Sequence, residues 1–128
     1  MKKLMLTEND RQAFLAYTKE RIKNSSKEYQ YITEPLLNNV FTFFLDHRLT
    51  VQENAVTFWY RNGKKEMECY GYSGIDINTR DNEAGMKDNL FHEVFCKTEW
   101  LARGLKDGWF LDTCKAYFGR SFNQIINQ

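Results

Sequence analysis

His92 and Cys96 are the two residues whose types and spacing come nearest to a chemical motif. A separation of four residues places both side chains on one face of a helix. Zinc-binding helices use this spacing for two histidines with a Glu between them, and a thiolate can also bind zinc. A third ligand would have to come from the remaining histidine and cysteines, which are His47, Cys69 and Cys114. None of these has motif spacing, so we predict no metal and no cofactor, with His92 at the surface and Cys96 buried.

Cys96 is also the candidate for a catalytic nucleophile. A reactive cysteine needs a lowered pKa and a nearby base, and His92 lies one helical turn away. No glycine-rich oxyanion turn accompanies the pair, and Cys69 and Cys114 fall on apolar stripes. We therefore predict no catalytic residue and no enzymatic activity. A small metal- or thiol-dependent enzyme centred on His92 and Cys96 stays open as an alternative.

The distribution of charge is more informative than these motifs. The 128 residues include 18 basic and 17 acidic side chains, but residues 66–99 carry eight acidic and three basic ones. Aromatic residues lie in or beside this acidic segment, as they do in protein interfaces. A solvated surface without a partner would show the same charges. We predict that a protein with a basic surface binds here, through these residues: Trp59, Glu66, Glu68, Tyr70, Asp76, Asp81, Glu83 and Asp88.

The N-terminal segment has the opposite balance. Residues 1–27 carry seven basic and three acidic side chains. This leaves open a nucleic-acid-binding accessory protein that uses a basic N-terminal helix. The near-neutral total charge, together with the lack of an aromatic stacking platform beside these cations, disfavours direct nucleic-acid binding.

Hydrophobic periodicity predicts the secondary structure that positions the candidate residues, with helices on both sides of the chain's centre. Capping residues and glycines indicate where the helices begin and end. The signals are Thr7 and Asn24 for the first helix, Thr33 and Pro35 for the start of the second, Gly104 or Gly108 for the end of the third, and Phe110 and Ile125 for the last.

The centre of the chain alternates apolar and polar residues and predicts a hairpin over residues 55–70. Asn62-Gly63 favours a two-residue turn, which fixes the register. The expected pairs are Tyr60 with Lys65, Trp59 with Glu66, Phe58 with Met67, Thr57 with Glu68, Val56 with Cys69, and Ala55 with Tyr70. One face of this hairpin is apolar and is predicted to join the core. Strands over residues 49–52 and around residues 75–77 would extend the sheet.

These elements predict a single domain over residues 1–128 of the α+β class. It would have two N-terminal helices, a small antiparallel β-meander with hairpin 55–70, and two C-terminal helices packed on one sheet face. No apolar run reaches the roughly 18 residues that cross a bilayer, and the N-terminus lacks the apolar region of a secretory signal. With only three scattered cysteines, we expect a cytoplasmic protein without a membrane partner.

In size, α+β pattern and lack of a catalytic motif, the chain resembles the small immunity proteins that bacteria make against their own contact-dependent or secreted toxins. The resemblance covers the whole chain as a type, and no residue motif carries it. It implies a bacterial, cytoplasmic protein that binds one cognate toxin domain, often a nuclease, and blocks its active site. Carboxylates on an acidic face would then stand in for phosphates. The same profile fits phage proteins that inhibit host defence.

Overall fold

A computed structural model of the protein describes the backbone of residues 3–25, 32–52, 55–59, 65–70, 83–108 and 110–127. Side chains are described for residues 4–25, 32–50, 85–108 and 110–127. The strands are β1 (Lys3–Met5), β2 (Thr50–Gln52), β3 (Ala55–Trp59) and β4 (Lys65–Tyr70). The α-helices are α1 (Arg11–Lys23), α2 (Glu34–Asp46), α3 (Glu83–Asp107), α4 (Leu111–Phe118) and α5 (Phe122–Ile126). Short 3-10 turns cover Glu8–Asp10 and Gly119–Ser121.

Local capping explains where α1 and α2 begin. Thr33 is the N-cap of α2, and its hydroxyl accepts a hydrogen bond of 3.3 Å from the backbone N–H of Leu36. Pro35 lies in the first turn, where its missing N–H costs no hydrogen bond. Before α1, the carboxylate of Asp10 accepts hydrogen bonds from the backbone and hydroxyl of Thr7. The predicted start of the second helix is confirmed, whereas Thr7 caps the 3-10 turn Glu8–Asp10 and α1 itself begins at Arg11.

The four strands form an antiparallel sheet in the order β1-β2-β3-β4. Strands β2 and β3 pair with Val51 opposite Val56. Between β3 and β4 the observed pairs include Ala55 with Tyr70, Val56 with Cys69, Thr57 with Glu68, and Phe58 with Met67. These four pairs agree with the predicted register, but a bulge after Phe58 then pairs Trp59 with Lys65. The predicted pairs of Trp59 with Glu66 and of Tyr60 with Lys65 are therefore wrong.

The described core lies mainly between helices. Phe14 of α1 contacts Phe41 of α2, with ring centroids 5.2 Å apart, and Phe91 of α3, with centroids 5.8 Å apart. On the other side of α2, Phe43 meets Phe118 of α4 edge-on at 5.0 Å. The largest side chains that are almost fully excluded from solvent are Phe14, Phe41, Phe44 and Phe95. The apolar stripes of α2 and α3 are thus buried against other helices.

The predicted fold class is wrong. Among the residues whose side chains are described, 82% lie in helices, so the domain is not an α+β meander with helices laid on one sheet face. Apolar side chains of α1, α2 and α3 cover one another, and α3 also contacts β1, β2 and β3. The described strand residues add mainly Leu4 and the buried Thr50 to this core. The helices form most of the described core because their large aromatic residues bury more apolar area than the described strand residues do.

The helix α3 ends before Gly108, one of its two predicted ends, whose φ of 81° favours glycine, while Gly104 lies inside the helix. The C-terminal helices differ from the prediction in two details. The predicted last helix is broken at Gly119, which has a φ of 56°, so α4 and α5 are separate. Leu105, expected on the apolar stripe, is 41% exposed. Among the described helices, none combines the length and apolarity that a membrane span requires.

Candidate functional site

The predicted partner-binding residues fall into three groups in the structure. Glu66, Glu68 and Tyr70 lie on β4, and Trp59 ends the neighbouring β3. Trp59 pairs with Lys65, next to Glu66, whereas Tyr70 pairs with Ala55 at the other end of the two strands. Glu83 is the first residue of α3. The predictions for Asp76 and Asp81, and for a strand around residues 75–77, lie outside the described residues.

Asp88 is the one predicted partner-binding residue whose side chain the structure describes. It is exposed on α3. Its charge acts on Tyr17 of α1, where burial raises the pKa of the phenol and Asp88 adds to that rise. Asp88 therefore lies on the side of α3 that faces α1. Its part in a partner-binding surface stays a prediction.

His92 and Cys96 form a close, partly buried pair on α3. The Sγ atom of Cys96 lies 3.4 Å from Nε2 of His92. Burial raises the pKa of the Cys96 thiol to about 11, and the charge of Glu93 adds to this. Burial also lowers the pKa of His92, and Arg21 of α1 lowers it further. Both shifts favour the neutral forms, so the pair consists of a protonated thiol and a neutral imidazole and not of a thiolate nucleophile beside a cation.

The other groups proposed as zinc ligands have structural surroundings of their own. His47 stacks on Phe43 with ring centroids 4.3 Å apart, and its Nδ1 lies 2.9 Å from the carbonyl oxygen of that residue. Cys114 is fully buried beside Gly104. Within the residues that the structure describes, no three His, Cys, Asp or Glu side chains are grouped as metal ligands. The position of Cys96 differs from the prediction, since it is half-buried and lies at a groove.

The basic residues of α1 are engaged within the protein. The guanidinium of Arg11 donates two hydrogen bonds of 2.9 Å to the carboxylate of Glu8 and also bonds residues of α2. Arg21 donates a 3.1 Å hydrogen bond to the hydroxyl of Tyr17 and lies over the ring of Phe95. These two cations therefore already have partners, and they serve to join α1 to α2 and α3.

A groove between the C-terminal half of α3 and Phe110, which precedes α4, is a concave feature of the described part of the chain. Its volume is about 490 Å³, within the range of roughly 300–1,000 Å³ that is typical of ligand sites. We call it the α3 groove. Its lining residues are Cys96, Glu99, Trp100, Arg103 and Phe110.

Aromatic packing shapes the α3 groove. The rings of Trp100 and Phe110 are nearly parallel, at 4°, with centroids 6.1 Å apart. Tyr117 of α4 meets Trp100 edge-on at 5.4 Å. Phe110 can approach α3 because residue 104 is glycine, and a Cβ there would lie 3.3 Å from its ring. The groove therefore depends on a small residue in the last turn of α3.

The sequence reasoning missed the α3 groove, although two signals for it are present. Trp100 and Glu99 were outside the apolar stripe, and a half-buried Trp beside a carboxylate is typical of binding surfaces. Gly104 was predicted, as an alternative to Gly108, to end the helix. A glycine inside a helix also indicates that another part of the chain approaches closely.

Comparisons with known proteins identify no relative. No family model, no curated protein and no solved structure is detectably similar to the chain.

Proposed function

We propose that this protein is a cytoplasmic, non-enzymatic inhibitor that binds one protein partner through its acidic, aromatic-bearing segment, in the manner of a bacterial immunity protein. The partner is a toxin or effector domain with a basic surface, such as a nuclease. Carboxylates of this protein occupy the place of nucleic-acid phosphates in the partner's active site. Attraction between opposite charges speeds the encounter.

The observation that supports this proposal most directly is the position of β4. Among the described strands it is the last in the sheet order, and it carries Glu66, Glu68 and Tyr70 within six residues. Glu68 and Tyr70 occupy alternate positions of the strand. An outer strand can be reached by a partner, and two carboxylates with an aromatic residue suit a basic surface.

The state of His92 and Cys96 supports binding over catalysis. A thiol whose pKa is raised to about 11 is almost entirely protonated at neutral pH, so it is a poor nucleophile. The engagement of Arg11 and Arg21 within the protein likewise disfavours the basic helix as a nucleic-acid surface. The protonated Cys96 thiol therefore does not favour the enzyme alternative, and two of the seven basic residues behind the nucleic-acid alternative already have partners within the protein.

The test is protection against a candidate toxin domain by a variant in which Glu66, Glu68, Asp81 and Glu83 are all changed to Ser. We expect it to fold and to lose protection, with a slower association rate that depends less on salt. The matched control removes the same charge from exposed helical carboxylates elsewhere, by changing Glu20, Asp46, Asp107 and Asp112 to Ser. The control variant should protect as the wild type does. A folded acidic-segment variant that still protects at wild-type affinity would refute the proposal.

A further inference from the structure

We propose that the α3 groove receives an arginine side chain of the protein partner, whose guanidinium pairs with Glu99 and stacks on the rings of Trp100 and Phe110. This inference rests on the proposed function, because that function supplies a partner with a basic surface. It assigns a second contact to the interface, on a different element from β4.

Glu99 is the anionic group of the groove and lies well inside it. Its side chain is only 20% exposed, and within the described residues its carboxylate has one charged neighbour, Arg103, at 3.8 Å. That distance is too long for a hydrogen bond. Burial is the main cause of the raised pKa of Cys96, and the charge of Glu99 adds to it; both residues line the groove. A carboxylate that is mostly buried without a hydrogen bond favours a cationic occupant.

The walls of the groove suit a planar cation. Guanidinium groups stack on aromatic faces, and cations are attracted to the negative faces of Trp and Phe rings. The same contact recurs within this protein, where Arg11 lies 4.9 Å from the ring centre of Phe41 and Arg21 lies 5.1 Å from that of Phe95. Arginine is also enriched among the residues that dominate binding energy at interfaces. A partner arginine therefore matches both the rings and the carboxylate.

Two cations of the protein, Lys97 and Arg103, compete with a partner arginine for the groove, and they differ in how easily it displaces them. Lys97 is held by Glu93 at 3.2 Å and lies over the rings of Trp100 and Tyr117, so it is already neutralised. Arg103 is half exposed and makes no hydrogen bond within the described residues. Arg103 can turn into solvent when another guanidinium takes its place beside Glu99. Removing Arg103 should consequently strengthen the binding of a cation, whereas removing Glu99 should weaken it.

The experiment titrates the full-length protein with N-acetyl-arginine methylamide and follows the Trp100 indole N–H by NMR. The neutral isostere N-acetyl-citrulline methylamide is the matched control ligand. We expect saturable shifts with the arginine probe and much weaker ones with citrulline. Glu99→Gln should weaken binding of the arginine probe by about fivefold, and Arg103→Gln should strengthen it by a similar factor. Asp107→Asn, which removes an exposed carboxylate of the same helix outside the groove, should leave affinity unchanged.

Three results would overturn the inference. Equal binding of both probes would mean that charge is not recognised. Unchanged affinity in Glu99→Gln would remove the proposed partner of the guanidinium. Weaker binding of the arginine probe to Arg103→Gln would mean that Arg103 does not compete with a guanidinium for Glu99.

Failure of this inference and failure of the proposed function are distinguishable. The titration needs no toxin, whereas the function is tested by protection with the acidic-segment variant, whose four changed residues lie outside the groove lining. A groove that rejects arginine while the acidic-segment variant loses protection would refute the inference alone. A groove that binds arginine while that variant still protects would refute the role of the acidic segment and leave the groove as the contact to test next.

Discussion

Gly104→Ala is the change that most directly tests how tightly α3 and α4 pack. A Cβ at residue 104 would lie 3.2 Å from Sγ of Cys114 and 3.3 Å from the ring of Phe110. Alanine gains about 1 kcal/mol over glycine inside a helix, because it loses less conformational freedom on folding. Overpacking a core costs about 1–3 kcal/mol. Phe110 is half-buried and can move, but Cys114 is fully buried. We expect overpacking to win and the variant to be destabilised by about 1 kcal/mol.

The assay is urea denaturation of a double-mutant cycle with Cys114→Ala. Without Sγ the new methyl group has room, so Gly104→Ala should become stabilising in the Cys114→Ala background. The expected coupling between the two positions is about 1–2 kcal/mol, which is ordinary for residues in contact. The cycle isolates the contact because the gain in helix propensity is the same in both backgrounds.

Gly108→Ala is the matched control. Gly108 has a φ of 81°, and no atom lies within 4 Å of the position of its added Cβ. Alanine there should cost about 1 kcal/mol through backbone strain, equally in both backgrounds. If Gly104→Ala instead has the same effect with and without Cys114, or stabilises the wild type, the close approach is not what requires glycine at residue 104.

Three further predictions concern single groups. Burial raises the pKa of Asp10, but the hydrogen bonds from Lys87 and Thr7 outweigh it, so the pKa is lowered from 3.8. Asp10→Asn should therefore cost about 1 kcal/mol of unfolding free energy at pH 7 and progressively less as the pH falls through the folded-state pKa. An equal cost at pH 2 and pH 7 in urea denaturation would contradict this. Thr33→Ala should lower the unfolding free energy by about 1 kcal/mol because α2 loses its N-cap, while Thr33→Ser, which keeps the hydroxyl, should lower it little. Equal losses in the two variants would mean that the hydroxyl does not cap α2. The thiol pKa of Cys96 is raised from 9.0 to about 11. At pH 8 this thiol should therefore react with iodoacetamide on the order of 100-fold more slowly in the folded than in the unfolded protein. The rate is measured by mass spectrometry of the peptide that contains Cys96, and equal rates would show that the pKa of the thiol is not raised.

Local signals in the sequence sufficed for the elements that local chemistry determines. The start of α2 follows from Thr33 and Pro35, whose effects act within one helical turn. The pairing of Val56 with Cys69 follows from hydrophobic alternation and the expected turn length. Such elements are predictable because each depends on residues within a few positions of one another.

The balance between helix and sheet could not be predicted in the same way. Alternation shows that a hairpin face is apolar, but it does not show which other element covers that face. Phe41 and Phe44 of α2 gave an apolar stripe, and the structure buries that stripe against other helices. The strand β1 was missed because three residues provide too little alternation to distinguish a strand from a loop. Both errors concern contacts between segments distant in sequence.

Gly104 shows how one residue connects a local sequence signal with a contact between separate segments. In sequence, a glycine within a helical pattern predicts either the end of the helix or a close approach of another segment, and the pattern alone does not separate them. The structure shows the approach, since Cys114 and Phe110 fill the space that a side chain would need. The same approach sets Phe110 parallel to Trp100 and thereby forms the wall of the α3 groove. The binding surface therefore follows from a packing requirement, and a change that disturbs packing at residue 104 should also alter recognition of the arginine probe.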